Sequence, residues 1–371
     1  MDVHVEQADF LRHLYKTVWQ AYGAPDEQAE VFARCILGGD LMGRWNQGVA
    51  IAEIVHFMVN AGQLDPTADP TVVSEGPVHT VLDGSRCLGQ WSMTKAVEAA
   101  IGHAKKSAIG VCWLRNYNDI GAAGMFSRLF IEHDMVGMMA INSVPLGAPY
   151  GGRDFKVGVG PMTVACPAGE ELPILFDGFF GNTYDGYIAN AVMDGRKLPP
   201  DSLIDPETGE VTDDPVPYID NITSRIGNQM APTTFANPKM YGLAIVNEIL
   251  AGFLGFGAIT SNLLPYPAEE YEDGGDQNSV GGGFIMAFNP TMLMPGEDFG
   301  AKVDAYIRDL KSSRPDPRFD EILMPGEPEF RTEKERLVSG VPMRREYWEN
   351  FLAMAAQVDV DVDAIRAEVQ S

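Results

Sequence analysis

At 371 residues, 45% hydrophobic and 21% charged, the chain has ample apolar material for a folded interior, and its length suits two or three compact regions. Its 52 acidic and 27 basic side chains give a formal net charge of −25. That balance argues against nucleic acid and anionic membrane surfaces as partners, since both are bound through excess Lys and Arg.

The N-terminus, "MDVHVEQADFLRHLYK", has no basic start followed by an apolar run, so no secretory leader is expected. The apolar stretch 243–259 carries Asn247 and Glu248 in its middle and falls short of the roughly 20 residues a membrane helix needs. It reads as a core helix, with no membrane partner. Cys35, Cys87, Cys112 and Cys166 are widely separated and show no metal-ligand spacing. Inert thiols, no metal site and a reducing, cytoplasmic setting are the expectation.

Three amphipathic helices open the chain. The first runs from about Glu6 to Tyr22, with Phe10, Leu11, Leu14 and Val18 on one face, and stops at Gly23 before Pro25. The second, from about Asp26 to Met42, turns Val31, Phe32, Cys35 and Ile36 inward, and the third, from about Gln47 to Asn60, presents Ile51, Ile54, Val55 and Met58. "AGQLDPTADPTVVSEGP" then ends the helical region, because its prolines cannot continue a helix. From Val78 strands and helices mix. "VHTVLDG" is a strand and turn, "GQWSMTKAVEAAIGHAKK" a helix, "IGVCWLRN" a strand, 120–133 a helix and "VGMMAINS" a strand. "GPMTVACPA" and "LPILFDGFF" add two short strands, and 199–236 reads as surface loops. "KMYGLAIVNEILAGFLG" is a helix, 264–283 a polar loop and "GGFIMAFNP" a strand, before helices at about 301–312 and 345–357. The resulting division is 1–75 helical, 76–300 mixed, and 301–371 helical, packing back on the first region.

Asp119, in "RNYNDIGAAGMF", lies where a buried strand hands over to a helix. Two roles are compatible with that place: capping the helix, worth about 1 kcal/mol over Ala, and facing a ligand from a loop at a strand end. Generic motifs do not decide. No G-x-G-x-x-G follows a strand and opens a helix, and there is no phosphate loop, H-E-x-x-H, G-x-S-x-G or paired-Cys site.

Several segments taken in order resemble the type 2 malate/L-lactate dehydrogenase family, which includes ureidoglycolate and sulfolactate dehydrogenases and cyclic imino-acid reductases. They are "GDLMGRWNQGV" (39–49), "NDIGAAGMF" (118–126), "NSVPLGAPYGG" (142–152), "GVGPMTVACP" (158–167), "TGEVTDDP" (208–215), "KMYGLAIVNEILAGFLGFGA" (239–258) and "RPDPRFDEILMPGEPE…SGVPM" (314–343). Each is weak alone; together they span nearly the whole chain. The resemblance implies an α/β protein of the sulfolactate dehydrogenase-like fold and not of the Rossmann type. Its sheet would be mixed and mostly antiparallel, bind NAD or NADP through the 76–300 region, and carry a helical layer made from both chain ends. It also implies a homodimer with a shared active site.

Transferred position by position, it implies catalytic roles for Asp119, Lys239 and Tyr241. Substrate contacts fall at Arg44, Asn46, Gln47, Tyr117, Asn118 and Asn142, and cofactor contacts at Ala123, Asp177, Gly178, Phe179, Lys239 and Gly282.

The chemistry departs from the family's pattern. The segment here written "NDIGAAG" typically reads Asn-His-Phe-Gly-Ala-Ala-Gly, with the His as proton donor or acceptor; this chain has Asp119. The usual Ser-His-Gly has Asn46 and Gln47, and the Arg that pairs with the substrate carboxylate falls at Ile51. Val159 and Gly160 stand where Thr-Asn is usual, and Tyr187 where a Lys is usual. Gly178, Phe179, Phe180 and Gly181 replace small and hydroxyl residues after Asp177. Lys239, Tyr241 and Gly242 match, with Met240 for a Gly. The six histidines offer no replacement at a catalytic position.

A histidine donates and accepts protons near neutrality, whereas an aspartate starts near about 3.9 and accepts far more readily than it donates. With Ile51 in place of the Arg, a 2-oxo or 2-hydroxy carboxylate would lose its clamp and face a like charge, a change of a few kcal/mol at a desolvated site. The small-molecule substrate expected is therefore neutral, cationic or aromatic, with Arg44 as a possible replacement cation. Phe179, Phe180, Tyr184 and Tyr187 either line a pocket for a flat ligand or pack as core. Three functions stay open: an NAD(P)-dependent oxidoreductase with altered substrate, a lyase or hydrolase using Asp119 as base, and a binding protein without catalysis.

Overall fold

The computed structural model describes residues 2–219, 231–255 and 281–370. Strand β1 (Val3–Glu6) leads into helices α1 (Ala8–Ala21) and α2 (Asp26–Leu41), a short 3-10 turn over Trp45–Gln47, and helix α3 (Val49–Asn60). Strands β2 (Thr71–Glu75) and β3 (His79–Asp83), helix α4 (Gly89–Ser107), strand β4 (Ile109–Arg115), helix α5 (Ala123–Glu132) and strand β5 (Val136–Ile141) follow. Next come β6 (Pro145–Gly147), β7 (Val157–Gly158), β8 (Met162–Cys166), β9 (Ile174–Gly178), α6 (Asp185–Met193), β10 (Leu203–Ile204) and β11 (Val211–Thr212). Helix α7 (Pro238–Glu248) runs on as a π turn over Ile249–Phe253. The chain closes with β12 (Gly282–Phe288), α8 (Pro290–Leu293), α9 (Phe299–Lys311), α10 (Glu327–Ser339), β13 (Val341–Arg344), α11 (Arg345–Gln357) and α12 (Val362–Gln370).

Seven strands form the central sheet in the order β2-β3-β4-β12-β5-β8-β9. Only β3 and β4 run parallel; the other five pairings are antiparallel. The reason helices can lie flat on its middle is a row of small residues. Gly110, Ala287 and Gly137 are direct neighbours across β4, β12 and β5. A Cβ at Gly110 would overlap the Ala100 carbonyl of α4, and one at Gly137 would overlap the Phe130 ring of α5. On the other face the π turn after α7 comes equally close, since a Cβ at Gly282 would overlap the Ala251 carbonyl. These contacts fix both helical covers against the central strands.

The helical layer joins the two chain ends. Phe10, Leu14, Trp19, Phe32, Ile36, Ile51 and Val55 share one buried cluster with Val341, Tyr347, Trp348, Phe351 and Ile365. The β1–β13 ribbon ties the ends together, and Arg366 grips Glu6 with two bonds of 2.6 and 2.7 Å.

The structure departs from the sequence reading in several places. Helix α9 packs through Val303 and Ile307 on the β8–β9 edge with Cys166 and Ile174, and not on the N-terminal helices. Strands β1, β2 and β13 and helices α6, α10 and α12 are not predicted by the sequence pattern, and the expected surface loops at 199–236 contain the short β10–β11 pair. Thr71–Glu75 forms its strand inside the Pro- and Asp-rich passage, where every one of its residues is exposed and no buried face marks it. The expected polar loop at 264–283 lies outside the described residues except for Gly281, Gly282 and Gly283. Among the described residues no helix is long and apolar enough to cross a membrane.

Candidate active site

The loop after β4 is held on every side. Asn116 adopts a left-handed backbone, φ +55°, and its side chain donates to Asp83 at 3.0 Å. Asn118 is buried and donates to the Cys87 carbonyl at 3.0 Å, while Gln90 of α4 donates to the Asp119 carbonyl at 3.0 Å. The Asp119 side chain is half-buried, and its Oδ1 accepts the Gly121 N–H at 2.8 Å. Gly121 has φ +74°, and a Cβ there would stand 3.1 Å from the Gln47 carbonyl oxygen and 3.3 Å from Ile51 Cγ1. Ile51 is thus fully buried beneath the loop.

Asp119 does not cap helix α5, contrary to one of its two sequence readings. The left-handed Gly121 turns its carboxylate onto the loop, and the helix begins only at Ala123, behind an Ala122 that makes no side-chain cap. The cap comes from across the structure: Asp177, at the end of β9, accepts the Gly124 N–H at 2.8 Å. Burial pushes the Asp177 carboxyl upward, and the Gly124 bond and the Arg44 charge pull it back. Arg44 itself binds Glu329 of α10 at 2.5 Å. Arg44, Asp177, Gly124, Phe176 and Glu329 together line a cavity of about 390 Å³. Arg44 is therefore committed to Glu329 beside Asp177, and does not replace the missing clamp next to Asp119.

The Trp45–Gln47 turn stands opposite the Asp119 loop. Asn46 donates to the Tyr184 hydroxyl at 2.7 Å, and Phe179, Tyr184 and Tyr187 form a run of ring contacts at 4.8 and 6.2 Å. Phe180 leaves that run and packs with Val157, Phe235 and Ala244. The four aromatics therefore divide into three beside Asn46 and one in the core. Gln47 Oε1, Asn118 Oδ1 and Gln90 Oε1 are buried acceptors with no hydrogen-bond partner among the described residues. The surroundings of Asp119 are rich in acceptors.

Behind the loop, Tyr117 is buried and its hydroxyl points to the Gly282 carbonyl at 3.4 Å. Burial, with the Asp119 and Glu248 charges, pushes its phenol well above the ordinary range. The Asn142 backbone donates to Gly282 at 3.0 Å, and its side chain accepts the Gly282 N–H. Asn247 of α7 donates to the Ile141 carbonyl at 2.6 Å. Lys239 has an exposed side chain at the start of α7, and Tyr241 packs edge-on against Phe235 at 5.7 Å. The structure thus joins Asp119 with Tyr117, Asn118 and Gln47 and joins Asp177 with Ala123, Gly124 and Arg44. Lys239 and Tyr241 make their contacts elsewhere.

Sequence reasoning missed Gln90, Asn247 and Asp40. Of these, Asp40 and Asn247 left a signal, one an acidic residue on the buried side of α2 and the other a polar residue inside the apolar stretch 243–259. Among the described residues no group of three or more His, Cys, Asp or Glu side chains is placed to hold a metal ion.

The chain has the sulfolactate dehydrogenase-like α/β fold. The solved sulfolactate dehydrogenase of Methanocaldococcus jannaschii superposes with a TM-score of 0.85 at 27% identity, over 97% of this chain and 99% of that one. In sequence, the L-sulfolactate dehydrogenase of that organism is 31% identical, covering 86% of this chain and 87% of its own. A malate dehydrogenase of Pyrococcus abyssi is 29% identical over 91% and 90%. The malate/L-lactate dehydrogenase family model matches residues 7–352. The chain belongs to that family and is an oxidoreductase.

Asp40 gives a pH-dependent expectation. Burial pushes its carboxyl from 3.8 up to about 7, against the opposing pull of the Val49 and Tyr15 bonds. Because the folded value is the higher one, its contribution to stability is complete below about pH 4 and is lost as pH rises to 7. Asp40→Asn removes this dependence. In urea unfolding, the variant should gain a few kcal/mol on the wild type between pH 4 and pH 8; parallel pH curves would contradict this.

Proposed function

We propose that the protein transfers hydride between a nicotinamide cofactor, NAD or NADP, and a small substrate that is not a simple 2-oxo acid anion. The observation that carries the substrate half is the buried Ile51 under Gly121, beside the Asp119 carboxylate and three unpartnered amide oxygens. The half-buried Asp119 carboxylate accepts hydrogen bonds, and the Ile51 side chain beneath the loop offers no cation for a substrate carboxylate. A neutral hydroxyl or carbonyl compound, or one bearing an ammonium group, suits it; the aromatic run beside Asn46 suits a flat one.

The residues present fit a nicotinamide nucleotide. The cavity at the start of α5 has the size of a nucleoside site, and its acidic residue suits ribose hydroxyls, with Arg44 held at its wall by Glu329. Gly124, Phe176 and Asp177 on one side and Arg44 on the other line that cavity and would hold it. When bound, the nicotinamide supplies or accepts the hydride. Asp119 accepts the proton released from a hydroxyl as it is oxidised, while Asn118, through its bond to the Cys87 carbonyl, holds the loop that presents it. Tyr117 keeps its own proton and serves as a buried donor behind the loop.

A homodimer fits the same reading. Leu243, Val246, Ile249 and Phe253 form an exposed apolar stripe along α7 and its π turn, between 41 and 53% accessible. Free cysteines, three of them buried, fit a reducing compartment such as the cytoplasm.

Fluorescence titration with NADH and NADPH should show saturable binding of at least one. No binding of either at millimolar concentration would remove the redox reading and leave a lyase or hydrolase with Asp119 as base, or a binding protein without catalysis. Light scattering should give twice the 40.4 kDa chain mass, and Val246→Asp should halve it; a wild type that scatters as a monomer would sink the dimer.

A further inference from the structure

A carboxylate on the buried side of a helix is costly unless its oxygens are satisfied. Asp40, in the last turn of α2, has no solvent exposure and both oxygens are taken. Oδ1 accepts the Val49 N–H at 3.0 Å and Oδ2 accepts the Tyr15 hydroxyl at 2.9 Å. Its backbone carbonyl accepts from the Arg336 guanidinium of α10, which also lies 5.7 Å from the Trp45 ring.

The turn between α2 and α3 is pressed onto this carboxylate. A Cβ at Gly48 would overlap Asp40 Oδ1, and one at Gly39 would overlap the Gln47 carbonyl. Val49 is the first residue of α3, and a helix's first N–H groups have no partner within it. Gly48, the cap position, has no side chain to fill that need. Asp40 fills it from the preceding helix. What the pinned turn carries is half of the candidate site: Asn46 bonded to Tyr184, and Gln47 with its carbonyl under Gly121.

We propose that Asp40 is a positioning residue, setting Asn46 and Gln47 against the Asp119 loop through the Val49 N–H. It acts without touching substrate or cofactor. The inference stands whether or not the redox reading does, because the turn is held in the same way for any ligand.

Three variants separate this role from general stabilisation. Asp40→Ala removes both acceptors. Asp40→Asn keeps an oxygen for Val49 and places an amide that donates to the Tyr15 oxygen. Val49→Pro removes the N–H and sets the ring Cδ against Asp40 Oδ1, so it breaks the same contact from its other end. Amide hydrogen exchange is then compared between 44–48 and α9, a helix on the far sheet edge. In Asp40→Ala and Val49→Pro, exchange over 44–48 should rise about tenfold or more with α9 unchanged, and in Asp40→Asn it should stay within about twofold of wild type. Should Asp40→Ala fail to fold, Val49→Pro tests the same bond from its other end. Unchanged exchange over 44–48, an equal rise in α9, or a failure of Asp40→Asn to restore the turn would each overturn the proposal.

Discussion

The close approach of α4 to the loop after β4 sets the position of everything around Asp119. A Cβ at Gly89 would overlap both the Asn118 and the Asp119 carbonyls, so the first turn of the helix lies directly on the loop backbone. That places the positive end of the helix dipole beside those carbonyls. Gln90 adds a side-chain bond. The helix itself rests on the sheet through Gly110. A continuous path of close contacts therefore runs from the sheet centre through α4 and the loop to Gly121, and from Gly121 onto Gln47 and Ile51 of the helical layer.

This framework explains how a side chain at position 119 can change without disturbing the loop. The bonds that hold the segment come from the backbone of Asp119 and from Asn116 and Asn118, while the Asp119 carboxylate engages only Gly121 among the bonds described. The same holds opposite. Ile51 fills apolar space under Gly121 and needs no polar partner there. Backbone placement and side-chain chemistry are separable here, which is the physical condition for one scaffold to take different substrates.

The sheet and its covering helices were legible because their signals are local. Period-2 and period-3.6 patterns mark the central strands and α1 to α4, and glycine marks the close approaches. What the sequence hid are elements whose partners are distant or whose faces are polar. Strand β1 pairs with β13, more than 330 residues away, and neither carries a pattern of its own. Helix α10 is polar on nearly every side and is held by charge: Glu329 to Arg44, Glu333 to Arg128 in two bonds of 2.9 and 2.6 Å, and Arg336 to the Asp40 carbonyl. The candidate site was legible in the family segments that name Asp119, Asn46 and Asp177. The cap that Asp177 gives to α5 was not, because it joins residues 53 apart that no local rule connects. The pairing of Arg44 with Glu329, 285 residues on, was hidden for the same reason.

Substrate charge is where sequence and geometry meet most directly. With the cofactor that binds, the purified protein should be compared on a 2-oxo acid and on its neutral amide, keeping the carbonyl and changing only the charge that Ile51 and Asp119 would meet. The expected result is a kcat/KM for the amide equal to or above that for the acid. A preference for the acid of about a hundredfold or more, the size of a working carboxylate clamp at a desolvated site, would contradict the reading of this site.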